Sequence, residues 1–229
     1  MGCCHQCNDL PGKQIARSVS RRAFTLIELL LVISIIALLI SILLPSLGSA
    51  RERTWQTSCM SLMKQFSFAT EAYLSDHSEY WPGWFNSLTP ITTLRTWRGA
   101  ELPAEALLCP SGELQPNPKQ RSYSVNAYLF YQNWPKRSKV PKPAQTLWMV
   151  EEHEISIDNE HFAVRSTDWW NVISARHPRG ANMSFTDGRV EFWPWRDPGT
   201  GVWVSYFLPD PGNVDLDRIN RAQCPPMVP

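Results

Sequence analysis

Residues 29–50 read LLLVISIIALLISILLPSLGSA, 22 positions without a charge. About 20 apolar residues in a helix are enough to cross the hydrocarbon core of a bilayer. A core helix of a soluble domain would keep a polar face, and this run is apolar all round. A cleavable secretory signal would have a shorter apolar region closed by a small-residue cleavage site. Here a helical pattern instead continues past Arg51. The stretch predicts a membrane-spanning helix. Upstream of it lie Lys13, Arg17, Arg21 and Arg22 against Asp9, a net +3 over residues 1–23 in a chain whose total is +1. The remainder is therefore −2. By the positive-inside rule the N-terminus is cytoplasmic, and everything after about residue 50 is exported.

Downstream, Trp55, Cys59, Leu62, Met63, Phe66, Ala69, Ala72 and Tyr73 recur at three- and four-residue steps, the period of a helix with one packed face. Tyr80-Trp81-Pro82-Gly83 stops it. A helix from Phe24 to about Asp76 would be on the order of 80 Å long at 1.5 Å per residue, half in the membrane and half a spine for a head. The 229 residues leave room for one such head and no large multidomain machine. With Lys+Arg 22 against Asp+Glu 21, the basic excess of a nucleic-acid binder is missing. Charged residues at 19% and aromatics at 11% exclude a disordered chain.

The head reads as short strands among turns. Residues 122–131 (SYSVNAYLFY) and 146–150 have strand-like composition. Residues 181–193 carry Asp187-Gly188 between two alternating runs, a hairpin signal that predicts a type I′ turn with positive φ at both positions. Residues 135–143, with Lys136, Arg137, Lys139 and Lys142, read as an exposed basic loop, and residues 214–222 as a short terminal helix.

Glu28 breaks the apolar logic near the start of the span. An acidic side chain deep in a bilayer costs roughly 3 kcal/mol. The basic residues are upstream and cytoplasmic, so its counter-charge must be created later or come from another chain.

Residues 21–33, RRAFTLIELLLVI, resemble the processing site of type IV pilins and type II secretion pseudopilins. The resemblance implies cleavage by a membrane prepilin peptidase between Ala23 and Phe24 and methylation of the new amine of Phe24. Glu28 becomes the mature fifth residue, and Pro45 falls where the family's first helix commonly has its proline. The family usually has Gly before the cut, so Ala23 is a departure, small enough to be tolerated. The new α-amine lies in the same layer as carboxylates of neighbouring subunits, where an ion pair is stronger than in water. Glu28 would thus set the axial register of an open, heterologous filament. The division expected is a removed leader over residues 1–23, a membrane and assembly helix over 24–50, an exported amphipathic half over 51–78 and the head over 79–229. The fold class implied is α+β and pilin-like, with a long helical spine packed on a small antiparallel β-rich head.

His177 followed by Asp187-Gly188 carries a second resemblance, together with Cys59, Cys109-Pro110-Ser111, Ser122-Tyr123 and Val125-Asn126. It is similar to a pseudopilin-like family with a prepilin leader and a C-terminal His-x9-Asp-Gly motif, whose members are surface-exposed, filament-type proteins. The partners implied are the prepilin peptidase, other pilin or pseudopilin subunits and the membrane. The location implied is the cytoplasmic (inner) membrane, with one span.

Other chemistry is thinner. His177 is expected to hydrogen-bond the hairpin, since a metal role with Asp187 lacks a third ligand at any diagnostic spacing. Asp210, Asp215 and Asp217 offer oxygen ligands for calcium, without the spacing of a recognised loop; no other cofactor is expected. Cys3, Cys4, Cys7 and His5 fall in the leader. Cys59, Cys109 and Cys224 face the oxidising side. A Cys59–Cys109 bridge is expected there, with a pair involving Cys224 as the alternative. Cys109, His177 and Asp187 supply the residue types of a thiol hydrolase, and Ser184 or Ser111 those of a serine hydrolase. No nucleophile elbow or phosphate-cradling loop accompanies them, so no enzyme is expected. A different class of function remains open: an anchored binding domain for carbohydrate or protein, using Trp81/Trp84, Trp169/Trp170 and Trp193/Trp195. Buried tryptophans would favour the scaffold.

Overall fold

The computed structural model describes residues 24–83, 90–96, 107–111, 121–131, 134–201 and 208–223. The cleavage-site residue Ala23, the leader cysteines, Trp84 and Cys224 lie outside them.

The first helix, α1, is Leu26–Asp76, 51 residues with Pro45 inside it. The chain divides into two compact units, one ending at Ser46 and one beginning at Leu47. In the first unit every described side chain is exposed. Isoleucines and leucines at this density, with nothing covering them, are stable only in an apolar solvent. This is the helix that is long and apolar enough to cross a membrane among the described residues.

In the second unit α1 has a buried stripe: Cys59, Met63, Phe66, Ser67, Thr70, Tyr73 and Leu74. The stripe follows the helical period of the sequence, except that Ala72 is exposed and Thr70 and Leu74 take the contact. The helix ends before the Tyr80–Gly83 stop. Ser78 and Glu79 adopt φ of 52° and 68°, and the Glu79 amide donates to the Leu74 carbonyl, a left-handed C-terminal cap built without glycine.

The head is a five-stranded sheet in the order β3-β1-β2-β5-β6, from β1 (Tyr123–Asn126), β2 (Leu147–Glu151), β3 (His161–Phe162), β5 (Gly180–Phe185) and β6 (Val190–Pro194). All pairings are antiparallel except β1 with β3, which is parallel. A second, two-stranded sheet pairs β4 (Asp168–Trp169) with β7 (Leu208–Pro209). The described elements also include three short α-helices, α2 (Pro90–Thr96), α3 (Tyr128–Tyr131) and α4 (Val214–Gln223), and two 3-10 turns, Arg137–Lys139 and Pro143–Gln145.

The strand expected over 122–131 is half strand and half helix. Asn126 causes the change: its side chain accepts from the Tyr128 amide at 3.0 Å, an Asx turn that redirects the backbone. The hairpin forms where expected, but its turn is of another type. Asp187 does not have positive φ, while Gly188 does at 83°. The Gly188 amide donates to the Phe185 carbonyl, and Phe185 donates to Arg189, which makes a type I turn closed by a glycine bulge. The basic loop is partly tied down, with Arg137 paired to Glu71 of α1 and Lys136 over the Tyr80 ring.

The sheet has two apolar faces. Tyr123, Val125, Trp148 and Met149 pack in one cluster with Met63, Phe66 and Tyr73 of α1. Leu147, Val150, Ala181, Met183 and Phe185 pack in the other with Leu216, Ile219 and Ala222 of α4. A register shift between Leu147 and Met149 puts Trp148 and Met149 into the same cluster. Alternation then resumes, and Glu151 follows Met149 onto the α1 face.

Candidate functional site

Two places in the chain carry chemistry. The first is the start of α1. Thr25 precedes the first helical residue, and its hydroxyl accepts from the Glu28 amide at 3.2 Å. Glu28 in turn accepts from the Thr25 amide at 2.9 Å and hydroxyl at 2.8 Å through Oε2. This is a reciprocal capping box, which satisfies orphan helix donors with an acidic group at the positive end of the dipole. Glu28 thus has a local partner, visible in sequence as Thr-x-x-Glu and passed over in favour of a search for a counter-charge. The box ties its carboxylate to the Thr25 amide and hydroxyl.

The second lies where α1 meets the sheet. Cys59 on α1, Cys109 in the 107–111 segment, Glu151 at the end of β2 and His177 ahead of β5 offer donor atoms all within 4.8 Å of one another. All four are buried, Cys109 being the most exposed at 5%. The Cys59 and Cys109 sulfurs are 2.8 Å apart and are not joined in a disulfide. His177 Nε2 lies 3.5 Å from Cys109 Sγ and 3.0 Å from Glu151 Oε1. Its Nδ1 faces Ser111 Oγ at 3.5 Å, and Ser111 Oγ is 3.0 Å from Cys109 Sγ. Asn182 donates to both Glu151 oxygens, from its amide at 2.8 Å and its Nδ2 at 2.9 Å. The same Nδ2 reaches the Gln56 carbonyl of α1 at 3.3 Å.

These contacts redistribute charge. The hydrogen bond from Cys59, followed by those of His177 and Ser111, lowers Cys109 to about 4 against the opposing effect of burial. Donating to Cys109 pushes the Cys59 thiol far above its ordinary range, and burial adds to this. Burial disfavours a charged His177, but its bonds to Cys109 and Glu151 outweigh that and raise it to about 9. The site therefore favours a Cys109 thiolate facing a His177 imidazolium.

The expected residues separate accordingly. Cys59, Cys109, Ser111 and His177 come together, and Asp187 does not join them. Asp187 sits exposed at the hairpin turn, accepting from the Arg189 amide. The link between His177 and the hairpin runs through Glu151 to Asn182 of β5, beside the backbone bridge His177–Gly180. Ser184 is buried in β5. A thiol-hydrolase relay would place the acid on one imidazole nitrogen and the thiol on the other. Here both use Nε2, and the sulfur is shut away from solvent. The calcium candidates Asp210, Asp215 and Asp217 each make local contacts. Asp210 accepts from Trp169 Nε1 and Asn213 Nδ2, Asp215 from the Arg196 and Asp197 amides, and Asp217 pairs with Arg221 at 2.6 Å.

Glu151 was missed as a candidate. The strand-like composition of the sequence ends at Val150, whereas β2 runs one residue further, and one more step of the two-residue period puts Glu151 on the helix-facing side. Among the paired tryptophans that are described, Trp81, Trp169, Trp193 and Trp195 are buried and Trp170 is half-buried against Arg165.

The family described as the prokaryotic N-terminal methylation motif matches residues 19–44. The chain carries a prepilin-type N-terminal methylation motif. The matched segment contains Phe24, the capping box and most of the charge-free stretch of α1, so the motif runs into the membrane-anchoring helix. No curated protein and no solved structure matches the chain. The prepilin motif indicates a structural, pilin-like protein handled in general by a prepilin peptidase and other subunits.

Proposed function

We propose that this prepilin-type chain is a non-enzymatic subunit of a type II secretion pseudopilus or a type IV pilus-like filament. It is cut between Ala23 and Phe24 and N-methylated at Phe24. It is held in the cytoplasmic membrane with its N-terminus inside and its head exported. The observation that carries this is the methylation motif over residues 19–44 running into an apolar helix with Glu28 at its start. Once the leader is gone, the Phe24 amine and the Glu28 carboxylate of different subunits are opposite charges in a medium of low dielectric. Each costs free energy alone, and the two offset each other in a pair. The axial register of a subunit is then the one in which its amine meets a neighbour's carboxylate. Pro45 removes a backbone hydrogen bond within the helix and weakens it locally. The buried tryptophans of the head support a packed scaffold over an aromatic binding surface.

The test is Glu28→Gln, which keeps length and hydrogen-bonding capacity and removes the charge. The variant inserts and is processed, but higher multimers captured by cross-linking in the membrane fraction fall to background. Normal multimer yield would overturn the assembly role.

A further inference from the structure

The Cys59–Cys109–Glu151–His177 cluster has more convergence than packing or a two-residue bridge requires. Four donors, two sulfurs, one imidazole nitrogen and one carboxylate oxygen, come from four separate segments and meet in one buried volume. We propose that the cluster is a structural zinc site with Cys59 Sγ, Cys109 Sγ, His177 Nε2 and Glu151 Oε1 as the tetrahedral ligands.

The ligand types are those zinc takes, two thiolates with nitrogen and oxygen. With Zn–S near about 2.3 Å and Zn–N and Zn–O near about 2.0 Å, tetrahedral geometry gives sulfur–nitrogen edges of about 3.5 Å and a nitrogen–oxygen edge of about 3.3 Å. Cys109 to His177 is 3.5 Å and His177 to Glu151 is 3.0 Å. The Cys59–Cys109 edge of 2.8 Å must open, to about 3.8 Å by the same geometry, and the remaining edges, all within 4.8 Å, settle around the ion. The shared use of Nε2, which argues against a catalytic relay, is what coordination demands, since every ligand atom must face the same point.

An outer layer is in place. Ser111 Oγ stands 3.5 Å from Nδ1 of His177, placed to accept a hydrogen bond from Nδ1–H and fix the Nε2-ligand tautomer. Asn182 holds both carboxylate oxygens of Glu151, and the buried Tyr123 lies against Cys59. Binding leaves two thiolates, a carboxylate and a neutral imidazole around a divalent ion, the displaced protons passing to solvent, with no change of oxidation state. Such a metal would staple α1 to β2 and to the segment before β5.

The site is independent of the N-terminal processing, so its failure leaves the proposed function standing. The experiment uses the full chain extracted in detergent and purified without chelator. Elemental analysis is expected to find about one zinc per chain, and X-ray absorption at the zinc edge to find two sulfur neighbours. Replacement by cobalt(II) should give thiolate charge-transfer and tetrahedral d–d bands. His177→Gln and Glu151→Gln lose the stoichiometry, while Asp187→Asn in the hairpin turn keeps it. Should the His177 and Glu151 variants not fold, the cobalt spectrum of the unaltered chain decides. Metal-free protein with Cys59 joined to Cys109 in non-reduced peptides overturns the proposal, as does zinc retained with no sulfur neighbour.

Discussion

Truncating Phe66 to alanine measures directly how α1 is seated on the head. The Phe66 side chain has no solvent exposure and lies in the cluster with Met63, Tyr73 and Trp148. Removing a buried phenylalanine costs the transfer free energy of the lost atoms plus that of the cavity left, together about 3–5 kcal/mol. Against a domain stability of about 5–15 kcal/mol this is a large fraction. At about 2–4 °C per kcal/mol for a domain of this size, the melting temperature should fall by about 6–20 °C. Two residues on, Phe68 is 63% exposed, with the Lys64 ammonium 5.1 Å from its ring centre. Phe68→Ala should cost under about 1 kcal/mol. Both variants are read by tryptophan fluorescence during heating of the detergent-extracted chain. Equal losses, or a larger loss at Phe68, would mean the helix is rotated. Cys59, which shares the stripe, would then no longer face Glu151.

Two glycines and a histidine provide further checks. Gly188→Ala meets no atom within 4 Å but must hold φ of 83°, so strain alone should cost about 1–2 kcal/mol. Gly180→Ala would put a Cβ 2.4 Å from the Trp193 carbonyl oxygen and 2.5 Å from the Phe192 ring. It should lower the melting temperature more than Gly188→Ala, and a smaller drop would contradict the close strand approach. His161 is held below its ordinary range, first by burial and then by the Arg121 guanidinium, with Asp158 opposing. The fold thus favours neutral His161. Its contribution is present above the unfolded value near about 6.5 and is lost as pH falls through the lowered one. His161→Gln should flatten the acid side of a melting-temperature profile, and an unchanged slope would show that this histidine does not titrate with folding.

The sequence made α1 legible because its two halves state two different solvents: no charges over residues 29–50, then a three- and four-residue apolar step that still runs along the buried stripe. β2, the hairpin and α4 were legible for the same reason, periodicity next to a turn or cap. What it hid were choices made by single side chains. Asn126 bends the chain through one hydrogen bond to Tyr128 where composition alone said strand. Thr186 and Asp187 take the ordinary turn and leave Gly188 to supply the positive φ, though Asp-Gly suits either arrangement. The polar cluster was invisible as a unit because its members are separated by 50, 42 and 26 residues in order from Cys59. Only sheet pairing brings Glu151 beside the segment carrying His177.

The account stands on where the mature chain begins. Intact-mass measurement of the protein extracted from membranes, with and without the prepilin peptidase, tests this directly. The expected product starts at an N-methylated Phe24 and is replaced by the uncut precursor when the peptidase is absent. A chain still starting at Met1 when the peptidase is active, or cut beyond residue 50, would contradict it.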